Sequence, residues 1–201
     1  MKINYIHSQQ ISGEGLADSA YNAVKTVASA ILKPDLSINQ LYPKEQHGIL
    51  KLPSGKYAYS NYMGPGTRLD IRVPRGDVGL TPIDKESEAH DLRYNLLHKD
   101  AKSKEEAMNL ARQADNKFNQ KIDEFRKNKS EPEINLKQAE LIKLKVFLEK
   151  NKALHDLSYK FTGPDNEKQE SPELDQLYRR ELNKLEQQGY GQYERYNPFY
   201  Y

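Results

Sequence analysis

Prolines and glycines are unevenly distributed along this chain, and their distribution is the strongest limit on what it can fold into. Five of its 10 prolines and six of its 11 glycines lie between residues 43 and 82. Proline fixes φ and lacks an N–H, whereas glycine reaches backbone angles that other residues avoid. We therefore expect loops here, with a small hairpin or an extended arm at "GILKLPSGKYAYS" (48–60) and irregular structure at 67–83.

The stretch before this region has the spacing of an amphipathic helix. Residues 15–32 carry apolar side chains at every third or fourth position, on one stripe: Leu16, Ala20, Val24, Val27 and Ile31. The "KP" at 33–34 ends the predicted helix.

Four further helices are predicted after the region rich in proline and glycine. Thr81 is positioned to cap the first of them, and Ser103 is positioned to cap the second. The other two are predicted at 133–160 and 173–188. These patterns indicate a mainly α fold.

Composition limits the classes of function. Of the 201 residues, 36% are hydrophobic and 30% are charged, which predicts one modest core surrounded by polar helices. The net charge of +2 gives no basic excess for coating a nucleic acid. The chain has no cysteine, which excludes disulfides and thiolate metal sites. Its N-terminus lacks the apolar run of a signal peptide, so we expect a soluble protein made in a reducing compartment.

The sequence "NYMGPGTRLD" (61–70) contains the most unusual of the loops. An ordinary turn is the simplest interpretation of a single GPG. Glycines at alternate positions also allow main-chain carbonyls to point toward one centre, and those of Tyr62, Gly64 and Gly66 are the candidates. Hard cations such as Ca²⁺ take carbonyl and carboxylate oxygens as ligands.

A second motif, "AHDLRY", lies on the helix that follows. His90 and Tyr94 are four residues apart and share a helix face, with Asp91 beside them. The same HDxxY spacing recurs in "LHDLSY" at 154–159, so the motif alone is weak. Only the first copy follows a glycine loop and precedes a helix with an acidic residue at the matching place, Asp115. We interpret His155 as part of a helix–helix contact.

Together these residue types point to metal-assisted ester hydrolysis by water. Asp91 would add a carboxylate to the carbonyls of the loop, and His90 would act as general base. Asp115, on an antiparallel helix, would orient the imidazole and stabilise its protonated form. The cation would polarise the carbonyl under attack.

Three segments of the chain resemble a known family. The segments "LPSGKYAYSNYMGPGTRLD", "EAHDLRY" and "ADNKF", in that order, are similar to the phospholipase A2 domain in the unique N-terminal region of the parvovirus minor capsid protein. The resemblance covers about residues 50–125. Thr67 stands where the viral loop usually has asparagine, and the segment between loop and helix is longer than is typical.

The resemblance implies the role of each residue. Tyr62, Gly64 and Gly66 correspond to the carbonyl donors of the calcium loop, and Asp91 to the calcium carboxylate. The remaining three correspond to the catalytic base, the second catalytic aspartate and a supporting tyrosine: His90, Asp115 and Tyr94.

The implied function is a Ca²⁺-dependent phospholipase A2 that hydrolyses the sn-2 ester of membrane phospholipids while a virus penetrates a cell. The protein would be made in the host cytoplasm or nucleus, would lie inside the virion until then, and would contact a capsid protein but no nucleic acid. The predicted parts are a flexible leader at 1–14, an amphipathic helix at 15–34, a phospholipase A2-like domain at 50–126, a helical extension at 132–188 and an aromatic tail at 189–201.

A second resemblance lies in the leader. "ISGEG" (11–15) is similar to the site cut by adenovirus-type maturation proteases, and cleavage between Glu14 and Gly15 would free the helix that begins at Leu16. A flexible turn is the alternative interpretation.

Two other functions stay open at this point. One is a non-enzymatic capsid or membrane-perturbing protein in which residues 15–32 act and a degenerate phospholipase fold is the scaffold. The other is a cellular phospholipase-like module. A decayed enzyme is expected to lose at least one of the site residues, and this chain retains them all.

The aromatic tail, with tyrosines and a phenylalanine in its last dozen residues, is predicted to anchor the protein to a viral partner.

Overall fold

The computed structural model of the protein describes residues 32–143 and 171–191. Several predicted features lie outside these ranges: the leader with its cleavage site, residues 15–31 of the amphipathic helix, His155 and the aromatic tail from residue 192 onward. The elements in chain order are β1 (Ile49–Lys51), β2 (Tyr57–Tyr59), α1 (Leu69–Arg75), α2 (Pro82–Asp100), α3 (Lys104–Asn128), α4 (133–143) and α5 (Pro172–Gln187).

The described fold is mainly helical, as predicted, and its central feature is the pair formed by α2 and α3. His90 on α2 contacts Asp115 on α3, and Tyr94, one turn later, contacts Ala111, one turn earlier. Contacts that advance along one helix and recede along the other show that the two helices are antiparallel. Three residues, 101–103, connect them.

Capping explains where α3 begins, but not where α2 begins. Ser103 accepts a hydrogen bond from the Glu106 N–H at 3.1 Å and caps α3, as predicted. Thr81 precedes Pro82 at the start of α2, but its side chain makes no capping hydrogen bond. Proline at the first helical position needs no N–H partner and is already restricted to a helical φ, which favours a helix start there.

The segment at 48–60 is a hairpin, one of its two predicted forms. β1 and β2 are antiparallel, with Leu50 opposite Ala58. Asn135 of α4 binds the outer edge of β1, accepting from the Lys51 N–H at 2.7 Å and donating to the Lys51 carbonyl at 3.0 Å. This side chain satisfies edge groups that another strand would otherwise pair.

The prediction of irregular structure throughout 67–83 is wrong, because α1 lies within it. Pro74 is inside this seven-residue helix and removes one helical hydrogen bond. Leu69 and Val73 are nevertheless buried, and Arg72 is fully buried. Tertiary contacts therefore stabilise a helix that the local sequence disfavours.

Two clusters of buried side chains meet at the glycine loop. The first joins the hairpin to α3 and α4 and contains Leu50, Met63, Ile83, Ile122, Phe125, Leu136, Ala139 and Ile142. The second joins α1, α2 and α5 and contains Tyr62, Leu69, Val73, Ala89, Leu92, Leu96, Tyr178, Leu182 and Leu185. The adjacent residues Tyr62 and Met63 belong to different clusters, so the loop is fixed from both sides.

The chain after α5 folds back onto the helix that carries His90. The Gly191 N–H donates to Glu86 Oε2 at 2.9 Å, and the Gly191 carbonyl accepts from Arg93 Nη2 at 2.6 Å. A Cβ on Gly191 would lie 2.6 Å from the Cβ of Ala89, so only glycine fits this close contact.

Within the described ranges, no helix is long and apolar enough to span a lipid bilayer.

Candidate active site

The glycine loop passes close to the chain that precedes the hairpin. Gly64 has φ of +156°, and a Cβ there would lie 2.3 Å from the Gln46 carbonyl oxygen. Gly66 has φ of +80°, and a Cβ there would lie 2.6 Å from the Lys44 carbonyl oxygen. The Gln46 N–H donates to the Pro65 carbonyl at 3.0 Å across the same contact. Both glycines are therefore required by backbone conformation and by the lack of space.

A single carboxylate, that of Asp84, holds the loop on α2. It is fully buried and accepts hydrogen bonds from the N–H groups of Asn61, Tyr62 and Met63 at 2.9, 2.9 and 3.1 Å. It also accepts from the Leu80 N–H at 2.9 Å. Asp84 is in the first turn of the helix that carries His90, so it connects the loop directly to the predicted catalytic residues.

A buried ion pair, Arg72 with Glu45, also supports the loop. Arg72 is fully buried and binds the Glu45 carboxylate in a bidentate manner, at 2.8 and 2.5 Å. The same guanidinium donates to Asn61 Oδ1 at 2.7 Å and pairs with Asp77 at 3.2 Å. A buried ion pair stabilises a fold only when its hydrogen-bonding groups are satisfied, and here the partners of Arg72 come from three separate segments.

Two of the three predicted carbonyl donors converge on one side chain. Thr67 Oγ1 lies 3.1 Å from the Gly64 carbonyl oxygen and 3.4 Å from that of Tyr62. It also lies 3.1 Å from Nε2 of His47, which is fully buried and whose Nδ1 is 3.0 Å from the Ser60 carbonyl oxygen. Burial lowers the pKa of His47, so the ring is neutral near pH 7. The structure gives no such convergence for the carbonyl of Gly66.

The helix pair forms the second half of the site. His90 Nε2 lies 3.0 Å from Asp115 Oδ1. An ionised carboxylate only accepts hydrogen bonds, so Nε2 carries the proton in the neutral ring and Nδ1 is left as the basic atom. Nδ1 is 3.7 Å from Asp91 Oδ1, which is longer than a direct hydrogen bond. The His90 side chain is 21% exposed, so solvent or a ligand can reach it.

Carboxylates control the basicity of this histidine. Burial acts to lower the pKa of His90, but the hydrogen bond to Asp115 and the negative charges of Asp115 and Asp91 outweigh it and raise the pKa above its ordinary value. Two aromatic rings fix the orientation of the imidazole: the Tyr94 ring lies 4.6 Å away and the Phe118 ring 5.3 Å, centroid to centroid. The Tyr94 hydroxyl is 3.4 Å from the Ala111 carbonyl oxygen, so it bridges α2 and α3.

The predicted metal carboxylate has an oxygen that fits a cation. Asp91 Oδ2 is buried and has no hydrogen-bond partner among the described residues, although an unpaired buried carboxylate oxygen is costly. Within the described part of the chain, including this site, no group of three or more histidine, cysteine and acidic side chains is arranged to hold a metal ion. A cation here would need main-chain carbonyls beside one carboxylate, which is the donor set that Ca²⁺ accepts.

Sequence reasoning missed the residues that hold the loop. Asp84 carried a signal, because it lies six residues before His90, but acidic residues in the first turn of a helix are common for electrostatic reasons alone. Glu45, His47 and Arg72 gave no signal, because their partners are distant in the sequence. Phe118 belongs to the quoted "ADNKF" segment, and its contact with the His90 ring gives that position a physical role.

Neither the family models, nor the curated proteins, nor the solved structures contain a match to the chain.

Proposed function

We propose that this protein is a Ca²⁺-dependent phospholipase A2 that hydrolyses the sn-2 ester of phospholipids. The observation that carries the proposal is the 3.0 Å contact between His90 Nε2 and Asp115 Oδ1, which leaves Nδ1 of this partly exposed side chain as the base. Further support comes from the orphaned oxygen of Asp91 and from the loop carbonyls, which meet at Thr67.

The proposed reaction is the attack of water on the ester carbonyl. His90 Nδ1 takes one proton from the water as the oxygen forms a bond to the carbonyl carbon. Asp115 stabilises the positive charge that develops on the imidazole. The bond from that carbon to the glycerol oxygen then breaks, and the proton passes from Nδ1 to the departing alkoxide. The products are a free fatty acid and a lysophospholipid.

The residues that would hold the cation are Asp91 and the carbonyl groups of Tyr62, Gly64 and Gly66. Bound Ca²⁺ would supply positive charge beside the ester carbonyl and stabilise the negative oxygen that develops there. Asp84 binds N–H groups of the loop from the helix that carries His90, so it positions the loop carbonyls relative to the base.

The test is turnover of a short-chain phosphatidylcholine by the full chain, with Ca²⁺ and in excess chelator. His90→Ala should lower turnover about 100-fold or more, because it removes the proposed base. The loss of packing should be small, because the His90 side chain is only partly buried. His155→Ala is the matched control, since it removes the other histidine with the same HDxxY spacing, and it should keep wild-type turnover.

Two results would contradict the proposal. One is undiminished hydrolysis in chelator, and the other is a His90→Ala variant with more than a tenth of wild-type turnover. Absence of hydrolysis by a folded wild-type chain would favour the non-enzymatic alternative, in which this fold is only a scaffold.

The setting of this activity rests on the family resemblance. We place the enzyme in a virion, where the shell keeps it from lipid until the particle penetrates a cell membrane. Intact particles should then show little hydrolysis, whereas particles opened by mild heat or acid should show it. Equal hydrolysis by intact and opened particles would argue against sequestration but not against the enzyme.

A further inference from the structure

The hydroxyl group of Thr67 has more acceptors around it than it has protons. Its oxygen is 3.1 Å from His47 Nε2, 3.1 Å from the Gly64 carbonyl oxygen and 3.4 Å from the Tyr62 carbonyl oxygen. A hydroxyl has one hydrogen, so it can donate to only one of the three at a time.

The environment of His47 decides which acceptor is available for that hydrogen. Its Nδ1 is 3.0 Å from the Ser60 carbonyl, which only accepts, so Nδ1 carries the ring hydrogen. Nε2 of the neutral ring is then an acceptor aimed at the Thr67 hydroxyl. When Thr67 donates to Nε2, its oxygen and the two loop carbonyls all present lone pairs to the same region.

The spacing of these oxygens suits a calcium shell. Ligand oxygens at 2.3–2.6 Å from Ca²⁺ and 75–90° apart are separated by about 2.8–3.7 Å. The separations of Thr67 Oγ1 from the Gly64 and Tyr62 carbonyl oxygens, 3.1 and 3.4 Å, both lie within this interval. Without a cation, the hydroxyl can turn to either carbonyl and satisfy it.

We propose that the Thr67 hydroxyl oxygen is a further ligand of the calcium site, and that His47 is a positioning residue that accepts the hydroxyl proton and keeps the Thr67 and loop oxygens available to the cation. This inference rests on the proposed function, because it needs calcium at the loop. It assigns a side-chain ligand to a site otherwise built from carbonyls and Asp91.

The experiment is calorimetric titration of CaCl₂ into the full chain after removal of metal, so the readout is affinity and not activity. Thr67→Val keeps the shape of the side chain but removes its oxygen, and should weaken Ca²⁺ binding about 10-fold or more. Thr67→Ser, the matched control, keeps the oxygen and should bind as the wild type does. Thermal unfolding in chelator establishes that each variant is folded, and Thr67→Ala replaces the valine variant if that one is not.

The outcomes distinguish the assignment of Thr67 as a ligand from the proposed Ca²⁺-dependent enzyme. Equal affinity of the wild type and a folded Thr67→Val or Thr67→Ala variant overturns the ligand assignment and leaves the proposed enzyme intact. A folded wild type that binds no Ca²⁺ at millimolar concentration overturns both.

The role of His47 is tested by a double-mutant cycle. His47→Gln should weaken Ca²⁺ binding about 10-fold in the wild-type background but add no further loss to Thr67→Val, because it acts through the hydroxyl that this variant lacks. An equal loss in both backgrounds would show that His47 only supports the fold, and would retire its positioning role.

Discussion

The glycine loop and the α2–α3 helix pair contribute the two halves of the candidate site, but they are held by different interactions. The loop is fixed by buried charged groups, Asp84 and the Arg72–Glu45 pair, whose partners are mostly backbone groups and side chains of other segments. His90 and Asp115 lie on regular helices, and both are partly exposed. The difference predicts that changes in the loop network reduce stability, whereas changes in the helix pair reduce activity.

The largest expected loss of stability follows substitution of the carboxylate that holds the loop. Asp84→Asn replaces one accepting oxygen by an NH₂ group and leaves buried N–H groups without an acceptor. We expect the free energy of unfolding to fall by about 3 kcal/mol, measured by denaturant titration. Asp123→Asn, at a position where the side chain is 79% exposed, is the control and should change little. Equal stabilities of the two variants would remove the distinction between the two regions.

The second prediction concerns the close approach at Gly64. Gly64→Ala combines an unfavourable φ with a contact against the Gln46 carbonyl and should cost about 2 kcal/mol or more. Gly55→Ala is the matched control, because φ is +83° there and nothing lies within 4 Å of an added Cβ. It should cost only about 1 kcal/mol for the backbone strain. Equal costs in thermal or denaturant unfolding would mean that the loop yields at Gly64.

The third prediction uses a buried carboxyl group that faces the loop region. Glu88 is 1% exposed and accepts from the Gly79 N–H at 2.9 Å. Burial, together with the charges of Asp84 and Glu181, raises its pKa to about 8. Because the pKa is higher in the folded than in the unfolded chain, this stabilising contribution is complete below about pH 4.5 and is lost as the pH rises through the folded pKa, near 8.

Glu88→Gln mimics the protonated form and should remove this dependence. At pH 5 its stability should be close to that of the wild type, and at pH 8 it should exceed it by several kcal/mol. Denaturant titrations at the two values measure the difference. Parallel pH profiles of the two proteins would contradict a protonated Glu88 in the native state.

The smallest expected change in stability is in the helix pair. Asp115→Asn makes the same substitution as Asp84→Asn, but it should cost less than about 1 kcal/mol because solvent screens a side chain that is 41% exposed. Turnover should fall about 100-fold or more, as expected when a base loses the group that fixes its tautomer.

The small stability cost of Asp115→Asn should depend on pH. The pKa of His90 is raised in the folded chain, so the stability that it gains from Asp115 is present below about pH 6.5 and is lost as the pH rises through the folded pKa. The cost should therefore be larger at pH 5.5 than at pH 9. A large cost at both values would show that Asp115 supports the fold as much as Asp84 does.

What the sequence by itself determined is local. Ser103 and the helical spacing around it placed α3, and HDxxY placed His90 and Tyr94 on one face, because capping and periodicity depend on residues within a few positions of each other. The hairpin was one of two predicted forms of its segment. The pairing of His90 with Asp115 was predicted on the assumption that the helix carrying Asp115 lies antiparallel to the one carrying His90.

Tertiary structure decided the shape of the loop. Glu45 and Arg72 are 27 residues apart, and Asn61 and Asp84 are 23 residues apart, so no local sequence pattern predicts either contact. Helix α1 forms against its proline because its side chains are buried between distant segments. Burial makes each of these polar contacts strong, and burial is a property of the assembled chain and not of its neighbouring residues.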